Sequence, residues 1–168
     1  FFDGSATGAV TGSGKVVPER FVSRSRSPRA ERDTRIDWQG GTPVTVSVEP
    51  PRGSAPDPAS QAGTLDPVSA GFALFRDSPA GEICNIRVDV FDGSRRSRLE
   101  LGAPTPGADG EITCAGRYAR IEGEEHSMSS KRNHGFSLVF RANGDGLARL
   151  ERIEAPTGFG KAVAERRR

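Results

Sequence analysis

The sequence predicts a mainly β fold, a curved antiparallel sheet or partly open β-barrel of about nine or ten strands with one short inserted helix. Three observations predict it. Glycine and proline make up about a fifth of the chain, with 21 Gly and 12 Pro in 168 residues, which disfavours long helices and suits strands joined by tight turns. Apolar and polar residues alternate over most of the remainder, as half-buried strands require. Only one stretch, around residue 70, carries helical spacing.

Residues 6–18 are rich in Gly, Thr and Val and turn at Gly12-Ser13-Gly14, which reads as two short strands. Residues 19–27 and 29–38 supply a third and a fourth, the latter ended by Gly40-Gly41. Val44, Val46 and Val48 then alternate with Thr45 and Ser47 as a half-buried strand. Residues 50–63 follow neither period, which predicts a long irregular loop and the most mobile interior segment. Asp66 and Pro67 open the helix: the carboxylate caps free amide groups, and proline occupies the first turn, where its missing N–H costs nothing. Val68, Phe72 and Phe75 recur at i, i+4 and i+7 as one apolar face, and the predicted helix of residues 66–77 stops at Ser78-Pro79.

After Gly81 the period of two returns. Cys84, Ile86, Val88 and Val90 share one face, Asp92-Gly93 predicts a hairpin turn, and Leu99 and Leu101 answer from the returning strand. A loop over 104–110 leads into a strand with Ile112, Cys114, Gly116 and Tyr118 on one face. Phe136, Leu138 and Phe140 mark the next strand, Asn143-Gly144-Asp145-Gly146 turns it into residues 147–154, and residues 160–164 form a short final one. No internal repeat is visible.

The length fits a single domain over residues 1–168, burying roughly two-thirds of its unfolded surface. The chain begins with Phe1-Phe2-Asp3 rather than methionine, which predicts that an N-terminal segment of the full-length protein is missing. Twenty-four basic residues stand against 22 acidic ones, and a net charge of +2 is too balanced for an electrostatic footprint on nucleic acid. The basic residues are mostly arginine, for which a GC-rich coding genome is a plainer cause than anion recognition. No apolar run approaches the roughly 18–20 residues of a membrane-spanning helix, so the chain is not expected to span a membrane.

Cys84 and Cys114 both fall on the apolar parity of their strands, which fits either a buried disulfide or two inert thiols. In a simple meander the two strands flank a third and lie about 9–10 Å apart, beyond the ~7 Å limit for a bridge. A bridge therefore requires Cys84 to sit at the frayed end of its strand, where the chain from Pro79-Ala80-Gly81 crosses the end of the hairpin. Pairing about Asp92-Gly93 puts Cys84 opposite Leu101, close to that end. A bridge would point to an oxidising compartment.

Several stretches resemble chemistry without meeting its requirements. Thr11-Gly12-Ser13-Gly14-Lys15 is similar to the end of a phosphate-binding loop, but Val16 stands where a Ser or Thr must hold magnesium. Ser23-Arg24-Ser25-Arg26-Ser27 is too short for an arginine-serine tract and reads as a solvated strand face. His126 and His134, with Glu122, Glu124 and Glu125, lack the regular spacing of a metal site. Ser127, Ser129 and Ser130 lie near His126, yet no nucleophile elbow accompanies them. No catalytic residue, metal or cofactor is therefore assigned. Trp38, Phe72, Phe75, Tyr118, Phe136 and Phe140 all fall on predicted apolar faces, where they either form core or line a cavity for an apolar ligand.

Leu65-Asp66-Pro67-Val68-Ser69-Ala70, Phe91-Asp92-Gly93-Ser94-Arg95-Arg96 after the Cys84 strand, Cys114-Ala115-Gly116-Arg117-Tyr118 and Pro18-Glu19-Arg20-Phe21 together resemble a bacterial family known as domain of unknown function 3108. The resemblance extends from about Gly8 onward and implies an exported protein of the Gram-negative envelope, with no established activity. Its layout is also similar to that of periplasmic lipoprotein-carrier half-barrels. The expectation is a non-catalytic exported, periplasmic protein that binds a lipid-like or other apolar ligand, with Phe72 and Phe75 facing the concave sheet. The alternative is an assembly protein that pairs a sheet edge with an envelope partner; a serine hydrolase comes third.

Overall fold

The computed structural model describes residues 1–28, 30–51, 53–123 and 133–166. Its class is mainly antiparallel β with one α-helix among the described residues. Eleven strands are present among the described residues: β1 (Phe2–Val10), β2 (Val16–Ser27), β3 (Ala30–Gln39), β4 (Thr42–Glu49), β5 (Ser78–Pro79), β6 (Arg87–Phe91), β7 (Arg95–Pro106), β8 (Glu111–Gly123), β9 (Asn133–Ala142), β10 (Leu147–Thr157) and β11 (Gly160–Glu165). Helix α1 spans Pro67–Phe75. The chain divides into two compact units, one of Phe1–Ala73, Val88–Ser97 and Arg120–Ser130, the other of Leu74–Arg87, Arg98–Ala119 and Lys131–Arg168.

In the first unit, β1 to β4 form a four-stranded meander in chain order. Its core is legible from the register. Ala6 stands opposite Phe21, Phe21 opposite Ile36 and Ile36 opposite Val46, a single row across all four strands. Phe21 and Ile36 are buried with Trp38 and Phe91, and Val68 of α1 packs against the same cluster. Full burial of each such side chain stabilises by about 1.5–3 kcal/mol. The opposite face is a lattice of cross-strand ion pairs, Arg20 to Asp37 at 2.6 Å, Arg24 to Asp33 at 2.9 Å and Arg26 to Glu31 at 2.7 Å.

Two bulges alter the expected strands. Residues 16–27 form one strand rather than two, because Thr7 pairs with Arg20 and Gly8 with Pro18, leaving Glu19 as an extra residue. A bulge is where a strand tolerates a proline that cannot donate to the ladder. The register also shifts between Asp37 and Trp38, where Pro43 takes the inward place and Val44, expected on the buried face, is 56% exposed.

The described part of the loop over 50–63 is irregular, with a 3-10 turn at Pro58–Ser60 capped by Asp57. Gln61 is fully buried and donates to the Glu122 carboxylate at 3.0 Å, while the Gly63 amide donates to the Gly41 carbonyl at 2.8 Å. The helix start is as the sequence requires: the Asp66 carboxylate accepts from the amides of Val68 and Ser69 at 2.9 and 2.8 Å. The inward face of α1 is not the one expected. Asp66, Ala70 and Leu74 are buried, whereas Phe72 and Phe75 are 50% and 40% exposed. Since the cap itself is buried, residues four and eight positions after it share its side of the helix, and the two rings fall outside that stripe.

The hairpin between β6 and β7 turns one residue later than predicted. The Asp92 carboxylate accepts from the Ser94 and Arg95 amides, which keeps Asp92 in the ladder, and its own amide donates to the Arg95 carbonyl, so Gly93-Ser94 is the tip. Leu101 consequently pairs with Ile86 rather than with Cys84. The shift is an even number of residues, so the faces keep their parity.

In the seven-stranded sheet the order runs β11-β10-β9-β8-β7-β6, and β5 joins the start of β10. Cys114 of β8 stands opposite Leu138 of β9, and Ile112 opposite Phe140, which pairs in turn with Leu150 of β10. Cys114, Leu138 and Phe140 are fully buried. Cys84 precedes β6 and forms a disulfide with Cys114, with Cα atoms 5.6 Å apart. Its place ahead of the paired strand is the arrangement a bridge demanded, since a cysteine within the ladder would lie a full strand away.

Candidate functional site

In the second unit, apolar side chains remain uncovered where the end of α1 meets β10 and β11. Ser78 and Pro79 of β5 pair with Ala148 and Leu147, which docks the chain leaving the helix against the start of β10. The Asp77 carboxylate fixes the same corner by accepting from Arg149 at 2.9 Å, with Arg166 at 3.6 Å. Phe75 is thereby held beside a cleft of about 280 Å³, whose lining includes Leu150, Ile153 and Ala164.

The floor of that cleft depends on an irregularity in β10. Leu150 and Ile153 are three residues apart, a spacing that puts them on opposite faces of a regular strand. Here Leu150 pairs with Phe140, Arg152 with Val139 and Ile153 with Leu138, so Glu151 is an extra residue. Both aliphatic side chains therefore join the face that carries Phe140 and Leu138, and Ala164 of β11 stands opposite Ile153.

The other face of β10 is ionic. Arg152 makes a forked pair with Glu111 at 3.1 and 3.2 Å and donates to Glu154 at 2.8 Å, while Lys161 also meets Glu154 at 2.8 Å. The Lys161 ammonium, and after it the Arg152 guanidinium, hold the Glu154 carboxyl below its ordinary range. Arg117, hydrogen-bonded at 2.6 Å, does the same to Glu100.

The six aromatic residues singled out in the sequence do not share one role. Trp38 and Phe140 are core, the first within the cluster around Phe21 and the second fully buried. Tyr118 and Phe136 are half-buried. Tyr118 tilts against His134 with ring centroids 6.2 Å apart, and Phe136 lies across Gly116, where a Cβ would stand 2.4 Å from the ring. Phe72 is exposed on α1, and Phe75 alone of the six borders the cleft. Sequence reasoning missed Leu150, Ile153 and Ala164, and the only signal was the odd spacing of the first two.

The stretches that resembled chemistry also have positions. Residues 11–15 form the β1–β2 turn, in which Thr11 Oγ1 accepts from the Lys15 amide at 3.1 Å. Arg24 and Arg26 are engaged in the cross-strand pairs of β2 and β3. His134 is exposed on β9. His126, Glu124, Glu125, Ser127, Ser129 and Ser130 lie outside the described residues. Among the described residues no group of three or more His, Cys, Asp or Glu is placed to hold a metal ion, and no helix is long and apolar enough to cross a membrane. No protein-family model, curated protein or solved structure matches the chain.

Proposed function

We propose that the chain is a non-catalytic exported protein that binds a lipid-like, single-chain ligand in the cleft beside Phe75. One observation carries this reading: the Phe75 ring, Leu150, Ile153 and Ala164 border an open cleft of about 280 Å³, which Glu151, Arg152, Glu165 and Arg166 also line. Apolar surface left in a concavity is the ordinary mark of an apolar ligand site. The compartment is supported by the buried Cys84–Cys114 bridge, which fits an oxidising environment. The chemistry expected of the site is partitioning alone, with Phe75 as one wall.

A homologous series of straight-chain fatty acids titrated by calorimetry tests it. Each added methylene that enters the cleft raises affinity about 3- to 4-fold, until the floor is covered. Phe75→Ala, checked for an unchanged melting temperature, flattens that dependence. Affinity independent of chain length, or a Phe75→Ala protein that binds the series like the parent, would overturn the reading.

A further inference from the structure

β11 closes one end of its sheet, and its outer edge pairs with no strand among the described residues. All six of its residues are exposed, Val163 at 50%. Edge strands are commonly blunted by a proline, a bulge or a charge that repels a neighbour. β11 has no proline, and its pairing with β10 is unbroken from Glu165 to Gly160. Its two charges, Lys161 and Glu165, are of opposite sign and equally distant from Val163.

We propose that β11 pairs antiparallel with β11 of a second copy of this chain, about a two-fold axis at Val163. The backbone parity is right for it. The Arg166 amide donates to the Glu151 carbonyl at 2.8 Å, so in this antiparallel ladder even-numbered residues 160–166 direct their N–H and C=O groups to β10. The corresponding groups of Lys161, Val163 and Glu165 therefore point to the free edge. An axis through Val163 places that residue opposite its own copy as a hydrogen-bonded pair, and places Lys161 opposite Glu165 of the partner subunit on both sides.

Side chains agree with the backbone. Lys161, Val163 and Glu165 share one face, so the valines meet between two pairs of opposite charge, while Ala162 meets Ala164 of the partner subunit on the other face. The Lys161 ammonium already holds Glu154 and has donors to spare for a second carboxylate. An axis moved by one residue would meet inward-pointing amides, and a parallel arrangement would set like charges side by side. The contact is small compared with the ~1,200 Å² of stable complexes, so the dimer is weak and concentration-dependent.

Sedimentation velocity of the whole chain from about 5 μM to about 1 mM tests this, with the mass expected to rise from 17.9 kDa towards twice that value. Lys161→Glu and Glu165→Lys each put like charges opposite one another twice and weaken association about tenfold. An equimolar mixture of the two variants restores it, because every facing pair is again of opposite sign. Val163→Pro removes an outward N–H without touching the ladder to β10, and yields a monomer with an unchanged circular-dichroism spectrum. A parent chain that stays monomeric throughout overturns the proposal. So does self-association that neither charge variant weakens, or that the mixture fails to restore.

Discussion

Reduction of Cys84–Cys114 offers a quantitative test of how the second unit is held together. The bond closes a loop of 30 residues, and in the chain-entropy treatment such a loop removes about 12 cal/mol/K from the unfolded ensemble, or about 3.6 kcal/mol at 25 °C. An unfolding entropy near 2.1 cal/mol/K per residue over 168 residues turns that into a fall in melting temperature of about 10 °C, and a larger fall if the second unit melts separately. Both sulfur-bearing residues are buried, Cys84 at 5% and Cys114 at 0% exposure, so reductant added to the native protein meets a shielded bond. The sample is therefore opened in urea with reductant and refolded with the reductant present. Thermal circular dichroism then compares it with the oxidised form, and urea unfolding should give a steeper m-value because the freed chain exposes more surface. A melting shift under about 3 °C would refute the loop-entropy reasoning.

Further outcomes follow from other parts of the structure. Gly123 has a φ of +97°, and a Cβ there would stand 2.4 Å from the Ser94 carbonyl oxygen; Gly123→Ala should cost about 2–3 kcal/mol in urea titrations. Gly144→Ala, where a Cβ meets nothing within 4 Å, should be neutral or stabilise by up to about 1 kcal/mol. Acid sensitivity should trace to the ion pairs: Glu154 is held below its usual pKa of 4.5 by Lys161 and Arg152, and Asp37 below 3.8 by Arg20. Carboxyls depressed on folding contribute stability that is complete above their unfolded pKa and disappears as pH falls through the folded value. Urea midpoints should therefore drop on acidification below about pH 5, and Glu154→Gln should shallow that slope while lowering the midpoint at pH 7.

The class of fold and most strands were legible because a period of two, glycine turns and a capped helix start are local signals. Asp66 as the cap came from such a signal, and distance limits put Cys84 at the frayed end of its strand for a bridge to form, with two free thiols as the alternative. What escaped was governed by bulges and by burial. Val44 turned outward because Pro43 took its place after a register shift, and residues on either side of Pro18 merged into one strand because Glu19 bulges. Phe72 and Phe75 satisfied helical spacing, but that spacing admits more than one stripe, and the buried Asp66 selected the stripe of Ala70 and Leu74. The cleft residues were hidden for a related reason: Leu150 and Ile153 share a face only through the extra residue between them.

Glu151 thus acts as a parity switch for everything downstream of it. Were the ladder to β9 to run on without the bulge, Glu151 would take the place opposite Val139 and the chain from Arg152 onward would be turned over, presenting guanidinium and carboxylate to the greasy side and isoleucine to water. The charge of Glu151 is incidental to that role; its being passed over by the pairing is what lets one strand carry an ionic network on one side and an oily hollow on the other.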